Sequence, residues 1–302
     1  MAENPGGGTE TRRHSAAGAW RFPNPATPLG SSVYYSLRFA PPDLRDDLAA
    51  IAAWRHQVRT IPDRVSDPGV AQIKLQWWRD ELERSFAGMP QHPLSRVLQP
   101  IVACHELPRT LFEAMADQVE SEILCRQPAD EADLDAACVR DLGTFFELIA
   151  RCHGRNPADR LQTARRLGGF CARVYLIRDS GILARRGCAV LPAPAERLRA
   201  CGLSSAALIR HEHRGPSPEL LAPAADRARA ELTAADGQSG LPLCLRVWVR
   251  ISASLLDEIA GVGYDVAERH VGLTPLRKLW LAWRESRCPS LEPHRSTNLD
   301  ER

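Results

Sequence analysis

The sequence predicts an all-α protein, and two observations carry that expectation. Apolar residues recur at three- and four-residue spacing in stretch after stretch, and these stretches are bounded by residues that start or stop helices. Leu44, Leu48, Ile51, Val58 and Ile61 form one stripe, so a helix is expected from Asp43 to about Ile61, starting behind Pro41 and Pro42. Pro62 breaks it, because an interior proline removes one hydrogen bond and clashes with the carbonyl four residues back. Asp67 as N-cap and Pro68 at the first position open the next helix. Val70, Ile73, Trp77 and Leu82 are expected to be its buried stripe, and Gly88 its stop.

Further along, Leu107-Pro108 opens a helix striped by Phe112, Met115, Val119 and Ile123, and 127–133 reads as a loop. A long helix is expected over Asp159 to Leu183. After it comes a mixed helix–loop stretch from Leu198 to Gly240, with a turn at Asp236-Gly237, and then a core helix over Val247 to Val262. Gly263-Tyr264-Asp265 is a turn, and Thr274-Pro275 starts a final helix containing Arg277 and Lys278.

A length of 302 residues fits one large helical domain, and 44% hydrophobic content can fill its core. A net charge of +2 gives no reason to expect a nucleic-acid partner. The nine cysteines are scattered, odd in number and without a C-x-x-C pair, so they read as small apolar residues in a reducing, cytoplasmic compartment. No apolar run approaches the roughly 20 residues of a membrane span. Residues 1–30 read as a disordered lead-in, 31–284 as the folded domain, and 285–302 as a disordered tail.

Four separated stretches resemble the squalene/phytoene synthase family, in the family's order. They are SSVYYSLRFAPPDLRDDLAAIAAWRHQV at the start, the middle helices from His92, LGGFCARVYLIRDSGILARRGCAVLP from Leu167 to Pro192, and LLDEIAGVGYDVAERHVGLTPLRKLWLA from Leu255 to Ala282. The resemblance spans about 27–283. It implies an isoprenoid-synthase helical bundle around a central apolar cavity, in which two isoprenyl diphosphates are condensed head to head. Mg²⁺ ions would hold the leaving diphosphate, and acids at i and i+4 on two facing helices would hold the ions.

Carried over residue by residue, most of those acids are missing. The DDxxD motif of the first helix falls on Arg59, Thr60, Ile61, Pro62 and Asp63, and the arginine before it on His56. The D-x-x-x-D motif of the second falls on Asp179 and Leu183, and the family's Gln and Asn before it on Ala172 and Tyr175. Arg178, Arg186, Gly187 and Pro192 match. In the segment from Asp141 to Arg151, Phe145 stands at a tyrosine position and Arg151 at a glycine position, where a long cation either points away from the cavity or obstructs it.

The candidate metal ligands are therefore Asp63 and Asp179. One acid per helix is enough for a single Mg²⁺ completed by phosphate and water, but not for a three-metal arrangement. Candidate diphosphate contacts are Ser32, His56, Arg59, Arg178 and Arg186. Ser31 or Ser32 equally suits a helix N-cap. Arg59 could grip phosphate directly or pair with Asp63 across the kinked turn. His211-Glu212-His213 lacks a third ligand and reads as a polar loop. Trp77 and Trp78 read as core and interface, and Asp80, Glu81 and Glu83 as a solvated face.

Two functions compete. One is a degenerate member that keeps the fold but not the ionisation chemistry, and that binds an isoprenoid diphosphate or another apolar lipid, serves a protein partner, or associates peripherally with a membrane surface. The run Asp63-Arg64-Val65-Ser66-Asp67-Pro68 followed by KLQWWRDEL resembles a branch of the family that assists assembly of respiratory complex I. The other is an active head-to-head prenyltransferase with a reduced metal site.

Overall fold

A single turn of sequence decides how the first helices are laid out. In the computed structural model, which describes residues 18–154, 156–185, 191–202, 217–234, 240–266 and 271–288, α1 is Ser32–Arg38 and α2 is Arg45–Arg59. Thr60 closes α2 with its hydroxyl donating to the His56 carbonyl at 2.8 Å. A short α3, Ile61–Arg64, then begins with Pro62 in its first turn. A proline is preorganised for that position, so it starts a helix here rather than damaging one. Asp67 caps α4, Pro68–Phe86, by accepting from the Val70 N–H at 2.9 Å, and Gly88 stops it at φ +82°.

The face that α4 buries is not the one the spacing predicts. Ala71, Leu75, Trp78, Leu82 and Ser85 are buried, while Val70 and Trp77 are exposed and Ile73 is 72% exposed. Glu81, expected on a solvated face, is fully buried. Its Oε1 accepts the N–H groups of Gln91 and His92 at 2.8 and 2.7 Å, and its Oε2 accepts from Arg84. This carboxylate organises the turn into α5, Pro93–Cys104, and its hydrogen bonds hold it charged against the effect of burial. Satisfying it rotates the helix away from a purely apolar interface.

α6, Arg109–Ile123, buries its expected stripe, and Trp54 of α2 meets Phe112 edge-on at 5.0 Å. The expected loop is shorter than 127–133, because Asp130 caps α7, Glu131–Cys138. A π-turn, Val139–Gly143, leads into α8, Thr144–Cys152. The long α9, Ala158–Arg185, crosses that turn with backbone against backbone. A Cβ on Gly168 would lie 2.5 Å from the Leu142 oxygen, and one on Gly143 would lie 2.7 Å from the Arg165 oxygen.

α10, Ala195–Ala200, α11, Pro218–Ala234, α12, Leu243–Gly261, and α13, Pro275–Ser286, complete the order, and no strand occurs among the described residues. Thr274 caps α13 as expected, and α12 packs against α1, α9 and α13. Within the stretch read as a lead-in, residues 18–30 pack against α2: the Asn24 amide donates to the Trp20 and Ala49 carbonyls at 2.9 and 3.0 Å. His211–His213 and the Asp236-Gly237 turn lie outside the described residues. Among the described cysteines all eight are free thiols, four of them buried. No helix among the described residues is long and apolar enough to cross a membrane.

Candidate diphosphate site

The end of α2 places Arg55 and Arg59 one turn apart on one face. Neither guanidinium is left to solvent. Arg55 grips Asp141 of the π-turn through Nη2, at 2.7 Å from each carboxylate oxygen, and through Nε at 3.0 Å. Arg59 pairs with Glu122 of α6 at 2.5 Å, and its Nε lies 3.7 Å from Asp141. Gln118 donates to the second Glu122 oxygen at 3.1 Å and accepts from Arg140 at 3.3 Å.

Burial disfavours the charged forms, but Asp141 and Glu122 outweigh it and hold Arg59 above its ordinary value. Burial likewise acts against an ionised Asp141, and Arg55 and Arg59 overcome it, keeping the carboxyl below its usual range. The sequence left Arg59 either to grip phosphate or to pair with Asp63. In the structure its hydrogen-bond partner is Glu122, and the exposed Asp63 adds a smaller electrostatic attraction. His56 is held below its ordinary value by burial and by Arg64 and Arg55, so it is neutral at pH 7 and has no charge to offer an anion.

A second group forms where α9 passes α1, α12 and α13. Of the two serines, Ser31 takes the N-cap role. Ser31 caps α1 by accepting from the Tyr34 N–H at 3.1 Å, and Ser32 is among the groups that counter the upward push of burial on the Tyr175 hydroxyl. That hydroxyl also accepts from the Trp248 indole N–H at 2.6 Å and lies 3.4 Å from the Ser252 hydroxyl. Arg178 stacks over the Tyr175 ring at 4.8 Å and forks onto Asp179, Nε to Oδ1 at 2.7 Å and Nη2 to Oδ2 at 2.6 Å. Lys278 of α13 donates to the Gly30 carbonyl at 2.9 Å, and burial together with Arg178 lowers its pKa. Arg178 therefore acts on Lys278 electrostatically, while each cation has its own partner, Asp179 for Arg178 and the Gly30 carbonyl for Lys278. Arg186 lies outside the described residues.

An aromatic partition joins the two groups. The Arg55 guanidinium stands over the Phe145 ring at 5.4 Å, Phe145 meets Trp248 at 6.0 Å, and Trp248 holds Tyr175. Arg151 does not enter this region; it lies along its own helix on Glu147, at 2.7 Å. A cavity of about 230 Å³ lies to one side of α3 and α4, lined by Ile61, Arg64, Lys74, Trp77 and Trp78 among others.

Arg55, Glu122, Asp141 and Lys278 were not singled out as site residues in the sequence. The one available signal was Arg55 four residues before Arg59, since two cations on a half-buried face require acids opposite.

The family generally uses Mg²⁺, and these side chains do not fit a cluster of such ions. By the family resemblance, a guanidinium, Arg59, stands at the first acidic position of the first helix and Leu183 at the second of the other. Both Asp179 oxygens are engaged by Arg178, and no group of three metal-ligating side chains occurs among the described residues.

Comparison with known proteins agrees with the helical architecture. A presqualene diphosphate synthase of Sinorhizobium fredii is 28% identical over 212 residues, which is 70% of this chain and 75% of that protein. The chloroplastic phytoene synthase 3 of Zea mays is 27% identical over 263 residues; the match covers 82% of this chain but only 60% of the maize protein. Among solved structures, a dehydrosqualene synthase in complex with ligand superposes with a TM-score of 0.73 at 17% identity, over 92% of this chain and 96% of its own. Squalene synthase HpnC from Alicyclobacillus acidocaldarius superposes with 0.65 at 19% identity, over 76% and 88%. The squalene/phytoene synthase family model matches residues 27–280, and the chain therefore belongs to that family.

Proposed function

We propose that this chain keeps the family's fold and its affinity for isoprenoid diphosphates or related lipids but not Mg²⁺-dependent prenyl transfer, and that it works as a binding or assembly protein. The observation that carries this reading is the Arg59 guanidinium, held by Glu122 and Asp141 where the family resemblance places the first metal-binding acid. Ionising an allylic diphosphate requires neutralisation of the departing charge, and removing one such stabiliser commonly lowers the rate by about 10²–10³. Here acids are absent from both helices. Ser32, Arg178 and Lys278 would bind the diphosphate, and Tyr175 and Trp248 would line its path. A peripheral position at a membrane surface suits a protein whose ligand is lipidic.

Titration with farnesyl diphosphate, with and without Mg²⁺, tests the binding. We expect association that does not need the metal and weakens severalfold in Arg178→Gln. Absence of any association would contradict the reading. The second reading, an active prenyltransferase with one acid per helix, is favoured by the retained Asp63, Arg178 and Asp179 and by the similarity to presqualene diphosphate synthase.

A further inference from the structure

α13 is apolar on both faces. Leu281 and Ala282 turn inward onto the bundle. On the opposite side Leu276, Leu279, Trp280 and Trp283 are 78%, 44%, 51% and 50% exposed, at the i, i+3, i+4, i+7 spacing of one helix face. Leu29 is exposed beside them, since the adjoining Gly30 sits against Pro275.

The charge on this face is one-sided. Arg284 stacks over Trp280 at 5.4 Å and Arg287 over Trp283 at 5.3 Å, so each indole carries a guanidinium at its edge. The helix's own acid, Glu285, is turned inward onto Arg246, and Arg277 reaches back to Glu258 of α12. The exposed apolar face therefore bears cations and no acid of its own helix.

We infer that this face of α13 is a docking surface for an anionic lipid bilayer. This deepens the peripheral position stated above by naming the element and the lipid charge, and it is independent of whether the diphosphate site is active. Tryptophan and arginine are suited to the headgroup layer, the ring partly in the acyl boundary and the cation among phosphates. A protein partner or a second copy fits less well. Twelve residues make a helix about 18 Å long, and its face alone is far smaller than the roughly 800 Å² per partner of a stable interface. Residues 289–302 hold only two large apolar side chains, Leu291 and Leu299, too few to cover the stripe.

Flotation of the full chain with vesicles tests this, using phosphatidylcholine alone and phosphatidylcholine mixed with phosphatidylglycerol, with no isoprenoid present. The wild-type protein should float with the anionic vesicles and lose most of that binding in high salt. Arg284→Gln should weaken binding about fivefold, and Arg284→Gln/Arg287→Gln by about fivefold again. Trp280→Ser/Trp283→Ser should reduce it about tenfold or more, with unchanged helical circular dichroism. Brominated acyl chains should quench wild-type tryptophan fluorescence, a readout that needs no variant. No flotation, equal flotation after the double tryptophan substitution, or a solution dimer that this substitution makes monomeric would each overturn the inference.

Discussion

At the end of α2 and near the end of α9 the family resemblance places metal-binding acids that this chain lacks, and the two places are filled differently. On α2 a cation stands where the family resemblance places an acid, and two carboxylates come from other elements to meet it, Glu122 from α6 and Asp141 from the π-turn. On α9 the resemblance places an acid at Leu183 and an amide at Tyr175, whose hydroxyl here accepts from the Trp248 N–H. The first region has become a neutralised network of ion pairs. In the second, Arg178 is paired with Asp179 and acts electrostatically on Lys278, and under the proposed function these cations would receive the anion. A binding pocket can survive on cations alone, whereas ionisation of a diphosphate needs bridging metal ions and the acids that hold them.

The difference can be broken most forcefully at Asp141. Asp141→Asn leaves Arg55 and Arg59 half-buried with one carboxylate fewer, and should lower stability by about 3 kcal/mol, read from urea unfolding. The pH dependence has a definite sign. The Asp141 pKa is depressed in the folded state, so its contribution is present above the unfolded value near 3.9 and is lost as pH falls through the lower folded value. Asp141→Asn should therefore unfold with a flatter acid limb than the wild type. An unchanged stability would mean that the network is incidental.

On α9 the expected effects are smaller. Tyr175→Phe removes the hydroxyl that accepts from the Trp248 N–H and should destabilise by about 1–2 kcal/mol, read from urea unfolding. Smallest is Pro62→Val, in the first turn of α3. It should lower stability by about 0.5 kcal/mol through greater freedom of the unfolded chain, measured as a shift in thermal midpoint. A gain in stability would show that the proline strains the α2–α3 junction.

Local chemistry made much of this fold legible. Asp67-Pro68, Gly88 and Thr274-Pro275 mark ends by cap and backbone geometry, which depend on neighbours in sequence. The family stretches fixed the order of the helices and the positions of Arg59, Asp63 and Asp179. What could not be read were partners distant in sequence. Glu122 is 63 positions from Arg59, and Asp141 is 86 from Arg55, and no periodicity links them. The α4 face was misread for a related reason: a buried Glu81 looks polar in sequence, and only the N–H groups of Gln91 and His92 make its burial favourable.

The most direct test of the central claim is diphosphate release from farnesyl diphosphate by the unmodified chain in the presence of Mg²⁺. The ion network at Arg59 predicts release no faster than the background without protein, even at concentrations that saturate binding. Mg²⁺-dependent release with condensed product, abolished by Asp63→Asn or Asp179→Asn, would contradict it and establish that one acid on each helix is sufficient.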